Sequence, residues 1–201
     1  MRGRFLTSVF LLAVGAAFAS SSLAAPVVWE TTAILSDTSW SGEILLRQPV
    51  TVSAGATLRV LPGTKVLVEA GKGIGITVLG RMVAGEKGKS PVEFLPSMPG
   101  GEKAQWEGIA LHGGKAAGHA FSGFRIGGAR EGIALTETTA AIEGGTFAGC
   151  ATGIRWNQKS SASVDNCAFE GNDLGAVLSL GGEAVFRDCR FANIQVHGIV
   201  V

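Results

Sequence analysis

The sequence predicts an all-β solenoid, a coil of parallel strands that climbs by one short repeat per turn. Three observations predict it. A tetrapeptide recurs as Gly108-Ile109-Ala110-Leu111, Gly132-Ile133-Ala134-Leu135, Gly153-Ile154-Arg155-Trp156, Gly175-Ala176-Val177-Leu178 and Gly198-Ile199-Val200-Val201. Its glycines are 24, 21, 22 and 23 residues apart, a period that marks stacked repeats. From Trp40 onward, Val, Ile, Leu and Phe fall on alternate positions, which is strand patterning and not helix patterning.

The chain opens on an export signal. Arg2 and Arg4 form a short basic region, Phe5 to Phe18 is mostly apolar, and Ser22-Leu23-Ala24 fits a small-x-small cleavage site. The apolar stretch is shorter than the roughly 20 residues a membrane span needs. Residues 1–24 are therefore expected to be a signal peptide, leaving no membrane span after cleavage. Cutting there removes two arginines and moves the formal charge from +1 to −1. A nearly neutral mature chain lacks the concentrated Lys and Arg of a phosphate-backbone binder, so nucleic acid is excluded as a partner. Residues 25–39, with Trp29, Ile34 and Leu35, are expected to lead into or cap the coil, and residues 40–201 to form it.

Within each repeat a second pair of apolar residues follows the glycine anchor. Phe121 precedes Ile126 by five residues, as Ile142 precedes Phe147, Val164 precedes Phe169 and Phe186 precedes Phe191. The pairs predict a second sheet beside the glycine-anchored one. Gly123, Gly127, Gly128, Gly144, Gly145, Gly149, Gly171, Gly181 and Gly182 lie between the anchors and suit turns with positive φ. Turns stacked at about 4.8 Å would line up Ile109, Ile133, Ile154, Ala176 and Ile199 as one inward ladder, and Ile126, Phe147, Phe169 and Phe191 as another. A leucine-rich repeat has a similar period, but its Leu/Asn frame and its helix are missing.

The N-terminal half continues the coil with less regular turns. Leu58-Arg59-Val60-Leu61-Pro62-Gly63-Thr64, Val78-Leu79-Gly80-Arg81-Met82-Val83-Ala84-Gly85, Pro91-Val92-Glu93-Phe94 and Trp106-Glu107-Gly108-Ile109 are its most specific segments. On these the chain resembles, over roughly residues 40–201, the right-handed parallel β-helix proteins of bacterial envelopes, the pectate-lyase-like superfamily. The resemblance implies a right-handed parallel β-helix with three sheets and a place in the periplasm or at the cell surface. Residues 95–105, with Pro96, Pro99, Gly100 and Gly101, interrupt the rhythm and predict a projecting loop.

Chemistry-bearing residues are sparse. Glycan-cleaving members of the superfamily carry clustered acids on an outer sheet face. The outward slots of the anchor strand here hold Ala110, Ala134, Arg155, Val177 and Val200, none of them acidic. Glu143 and Asp165 are stacked acids and the catalytic candidates, yet Arg187 follows one turn on, and a solvated charge ladder is the favoured reading. His112 and His119 flank a Gly-rich turn without acid or Cys partners at ligand spacing, so neither metal nor cofactor is expected. Cys167 and Cys189, 22 residues apart, hold equivalent places; a packed thiol ladder is favoured over a disulfide. Cys150 is left over, on an inward turn. Asn166, Asn172, Asp188 and Asn193 are expected to serve the turns, and Trp156 the core.

The chain stops on the fifth anchor without a polar cap, so it is expected to be incomplete or to self-associate through an open last coil. The favoured function is a non-catalytic exported module with a structural or binding role at the envelope, its ligand a polysaccharide or a protein. The alternative is a polysaccharide lyase or glycoside hydrolase with its site on the outer face or in a missing C-terminal part.

Overall fold

The computed structural model describes residues 25–71, 73–98, 100, 103–114, 117–179 and 181–201. The expected signal peptide lies outside them, as do Pro99 and Gly101 of the predicted loop. Strand β1 (Val27–Trp29) precedes about seven turns. The first three turns contain β2 (Ala33–Ile34), β3 (Thr38–Trp40) and β4 (Glu43–Leu46); β5 (Val50–Val52), β6 (Thr57–Val60) and β7 (Lys65–Val68); and β8 (Ile76–Val78), β9 (Arg81–Ala84) and β10 (Val92–Pro96). The fourth and fifth contain β11 (Trp106–Leu111) and β12 (His119–Gly127), then β13 (Ala129–Thr136) and β14 (Thr139–Ala148). The sixth has β15 (Thr152–Asn157), β16 (Ser161–Asp165) and β17 (Ala168–Glu170). The seventh has β18 (Leu174–Leu178), β19 (Glu183–Arg187) and β20 (Arg190–Ala192), and β21 (His197–Val200) opens another.

Each strand pairs in parallel with its equivalent one turn away, which builds three faces. Face 1 is the eight-stranded sheet β2-β5-β8-β11-β13-β15-β18-β21. Face 2 stacks β3, β6, β9, the first half of β12, the first half of β14, β16 and β19. Face 3 stacks β1, β4, β7, β10, the second halves of β12 and β14, β17 and β20. Faces 2 and 3 merge into one 13-stranded sheet because β12 and β14 run through the corner unbroken. The five-residue apolar spacing therefore spans that corner. Phe121 and Ile142 belong to face 2 and Ile126 and Phe147 to face 3, so each pair spans two faces of that one second sheet.

The corners are single residues in the left-handed region. Gly123, Gly144, Asn166 and Asp188 occupy the corner between faces 2 and 3 at φ 60°, 60°, 51° and 51°. Gly128, Gly149, Gly171 and Asn193 occupy the next one at φ 64°, 63°, 65° and 54°. Gly, Asn and Asp are the residues that tolerate this backbone. Gly127, Gly145 and Gly182 do not have positive φ and are needed for close approach instead. At Gly145 an added Cβ would meet the Phe124 ring at 2.1 Å.

Inside the coil the side chains form columns. Ile76, Ile109, Ile133, Ile154, Ala176 and Ile199 follow one another on face 1. Val66, Phe94, Ile126, Phe147, Phe169 and Phe191 do so on face 3. Rings of Phe147 and Phe169 stack at 5.0 Å, and those of Phe169 and Phe191 at 4.6 Å, both nearly parallel. The rings reach across the interior to the anchor glycines: a Cβ on Gly132, Gly153 or Gly175 would lie 2.7–2.8 Å from Phe147, Phe169 or Phe191 respectively. Each such Cβ would also press on the carbonyl oxygen of the glycine one turn on. Gly108 departs from the sequence alignment: a bulge pairs it with Glu131 and not with Gly132. Residues 25–39 already belong to the coil, since β1, β2 and β3 pair in register with β4, β5 and β6.

Buried Asn172 seals the lower turns. Its Oδ1 accepts from the Cys150 amide at 2.8 Å and its Nδ2 donates to the Phe147 carbonyl at 3.1 Å. Two glycine substitutions separate packing from backbone strain. Gly153→Ala drives a methyl group into Phe169 and the Gly175 carbonyl and is expected to cost about 3 kcal/mol or more. Gly171→Ala meets nothing within 4 Å and carries only the positive-φ penalty, about 1 kcal/mol. Urea unfolding of both variants checks the order.

Candidate functional site

The stacked acids on face 2 are each held by a cation. Glu143 pairs in register with Asp165 and Asp165 with Arg187. Arg187 Nη1 sits 3.1 Å from Asp165 Oδ1, and Lys87, on the loop after β9, bonds the Glu143 carboxylate. Lys87 arrives from a turn whose sequence distance, 56 residues, hid it from the repeat pattern. These are solvent-screened pairs.

Face 1 carries a second pair of acids, Glu107 and Glu131, which the outward-slot reading passed over. Both precede an anchor glycine, and that repeated Glu-Gly was the available signal. Arg130 Nε lies 2.6 Å from Glu107 Oε2, and Arg155 Nε lies 2.6 Å from Glu131 Oε1. They border a hollow of about 340 Å³ floored by Gly75, Gly108, Ala110 and Ala134. Gly108, at φ 103°, has its missing Cβ position occupied by the Glu131 carbonyl oxygen, so the bulge that brings the acids forward requires glycine. Partial burial pushes the Glu107 carboxyl up, but the Arg130 hydrogen bond, the Gly73 amide and the Arg130 charge together hold it below the usual range. It stays anionic, as a group that accepts hydrogen bonds.

The remaining candidates serve the interior. His119 follows Leu58 and Met82 on the inward side of face 2 and precedes Ala140. The Met82 amide donates to its Nδ1 at 3.2 Å, and its Nε2–H donates to the His112 carbonyl at 2.7 Å. Both ring nitrogens are thus committed to backbone. All three cysteines are free thiols. Cys167 and Cys189 occupy one register position, between the pairs Asp165–Arg187 and Ala168–Arg190. Each thiol donates to the carbonyl two residues back, at 3.3 Å in both cases. Burial pushes the Cys150 and Cys167 thiols up to about 11, which keeps them protonated and unreactive. Trp156 is fully buried.

A groove of about 470 Å³ runs along the outside of face 3. Its floor steps from Leu67 and Leu95, outward partners in register, to Gly127 and Ala148 in the next two turns. The change from leucine to glycine and alanine hollows the sheet surface. The loop after β10 makes the wall, tied down by Lys103 to the Asp173 carboxylate and by the Gln105 amide, which donates to the Gly128 carbonyl at 2.8 Å. Among the described residues, two charged side chains line the groove, Lys103 and Arg125, and no acid does. Arg125 is exposed and, unlike Lys103, makes no ion pair or hydrogen bond with the described residues. The described residues of the predicted loop thereby form a wall packed on the coil.

The last turn forms a separate apolar surface. Ile199 is 46% exposed where Ile154, in the same column, is fully covered, and Val185, Val196 and Val201 are also exposed.

His119 makes stability depend on pH. Burial lowers its pKa from 6.5, so the folded chain holds it neutral while the unfolded chain takes up a proton. Its contribution is complete above the unfolded value of 6.5 and is lost progressively as pH falls from there through the lowered folded value. As pH falls below about 6.5 the wild type should lose urea resistance progressively, and His119→Gln should show a flatter slope over the same range.

Residues 102–201 match the family model described as right handed beta helix region. No curated protein matches the chain, and no solved structure does. The strand register continues the matched coil from Trp106 back to Val27. With parallel strands stacked on three faces throughout and its C-terminal half matched to that family, this chain is a right-handed parallel β-helix protein.

Proposed function

We propose that the chain is an exported, non-catalytic β-helix module that binds a polysaccharide or a protein at the cell envelope through the side of its stack. The observation that carries the binding reading is the face 3 groove, with an aliphatic floor, two cations in its lining and one guanidinium without a partner among the described residues. Pockets of this size and character are where proteins take ligands. The non-catalytic part draws support from the acids. Glu143, Asp165, Glu107 and Glu131 are each bonded to Lys or Arg, whereas glycosidic cleavage asks for one carboxyl kept protonated beside another that is free to act. Export rests on the basic, apolar and small-residue order of residues 1–24.

Incubation with a panel of acidic and neutral glycans is expected to leave their chain lengths unchanged. Release of unsaturated or reducing ends, abolished by Glu143→Gln or Asp165→Asn, would replace this reading with that of a lyase or hydrolase. N-terminal sequencing of the protein recovered from the periplasm of a bacterial host is expected to start at Ala25. An intact Met1 in the cytoplasmic fraction would remove the export step.

A further inference from the structure

We propose that the face 3 groove receives an extended peptide segment of a partner protein, an aliphatic side chain on its floor and a neighbouring carboxylate on Arg125. This rests on the binding reading above and names the ligand class.

The floor selects the apolar part. Leu67 and Leu95 present methyl groups, and Pro96 closes the rim beside them. A sugar ring laid on the leucines would turn hydroxyls toward methyl groups, and no aromatic ring among the described residues lines the groove to stack on it. An aliphatic side chain loses nothing polar in the same place. The hollow over Gly127 and Ala148 is deep because both lack a longer side chain, and it lies directly beyond the leucines.

The charge selects the rest. Along the outer face the register runs Glu43, Lys65, Glu93, Arg125, an alternation of signs from turn to turn. Its next member is Thr146, so Arg125 has an acid neighbour on one side and none on the other. Lys103, the other cation of the groove, is already bonded to Asp173. An incoming carboxylate would complete the alternation at Arg125 and gain a charge-assisted, two-pronged bond. From Leu67 to Ala148 the floor crosses four turns, about 14 Å, which suits about four extended residues. That length fits a short linear segment better than a compact small molecule.

The test uses the purified protein and two fluorescein-labelled hexapeptides, one alternating leucine with aspartate and one alternating leucine with lysine, followed by anisotropy. Polygalacturonate and a neutral glucan serve as unlabelled competitors, and are also titrated directly by calorimetry. The leucine–aspartate peptide is expected to bind and the leucine–lysine peptide not to. Arg125→Glu should weaken binding by about tenfold or more. Ala148→Leu, which fills the hollow, should do the same with its thermal unfolding unchanged, whereas Arg59→Glu, an exposed arginine of face 2, should leave affinity as it is. Equal binding of both peptides, or binding indifferent to Arg125→Glu and Ala148→Leu, overturns the inference. Binding of polygalacturonate that depends on Arg125, with no peptide bound, overturns the peptide assignment and leaves the binding module standing. No binding of peptide or glycan overturns both.

Discussion

The contact between the anchor glycines and the phenylalanine stack is the constraint on which the rest depends. Phe147, Phe169 and Phe191 cross the interior and lie against Gly132, Gly153 and Gly175, whose missing side chains leave room for ring edges. Parallel rings prefer to repeat at the distance that stacked strands already impose, about 4.8 Å, so ring packing and strand pairing ask for the same rise. A side chain at any of these glycines would push the ring outward and break the adjacent strand register at once. This pairing fixes the width of the coil between faces 1 and 3. The isoleucine column then fills what remains of the interior.

Above this region the same coil is closed differently. Where Ile126 and Phe94 stand in the phenylalanine column, Trp106 fills the interior and its indole N–H donates to the Gly127 carbonyl at 2.9 Å. Here the glycine of face 1 is displaced by the bulge at Gly108, and the strand starts carry Glu107 and Glu131 out to solvent. The outer charges alternate in sign because parallel strands place like positions next to one another. An acid that repeats from turn to turn meets itself unless a cation intervenes, and Lys87, Arg130, Arg155 and Arg187 each do so. These pairs neutralise the stacked acids on the sides of the coil. Arg125 stands out against that background because the alternation stops beside it.

Legibility followed distance along the chain. The glycine and phenylalanine ladders could be read because every member recurs at the same period, so the register followed from counting. The corner residues could be read as turns, yet their two jobs could not be separated. Gly144 and Gly145 are neighbours in sequence, and only the first needs its backbone angle while the second makes way for the Phe124 ring. The acid ladder Glu143–Asp165–Arg187 was legible for the same periodic reason. The groove was not, since Leu67, Leu95, Lys103 and Arg125 come from irregular turns whose spacings share no period. Its wall belongs to the one loop that the rhythm marked only as an interruption.

The amino-acid sequence by itself determined the parallel coil, its period and its inward ladders, because each turn repeats the same local solution and burial selects the same residue types every time. Tertiary structure alone decided which carboxylate meets which cation, that five-residue spacing turns a corner, and that His119 spends both nitrogens on backbone. It also decided where the surface is hollow. Those outcomes depend on the side chain one turn above or below, and that neighbour is set by loop lengths and a bulge that no local pattern encodes.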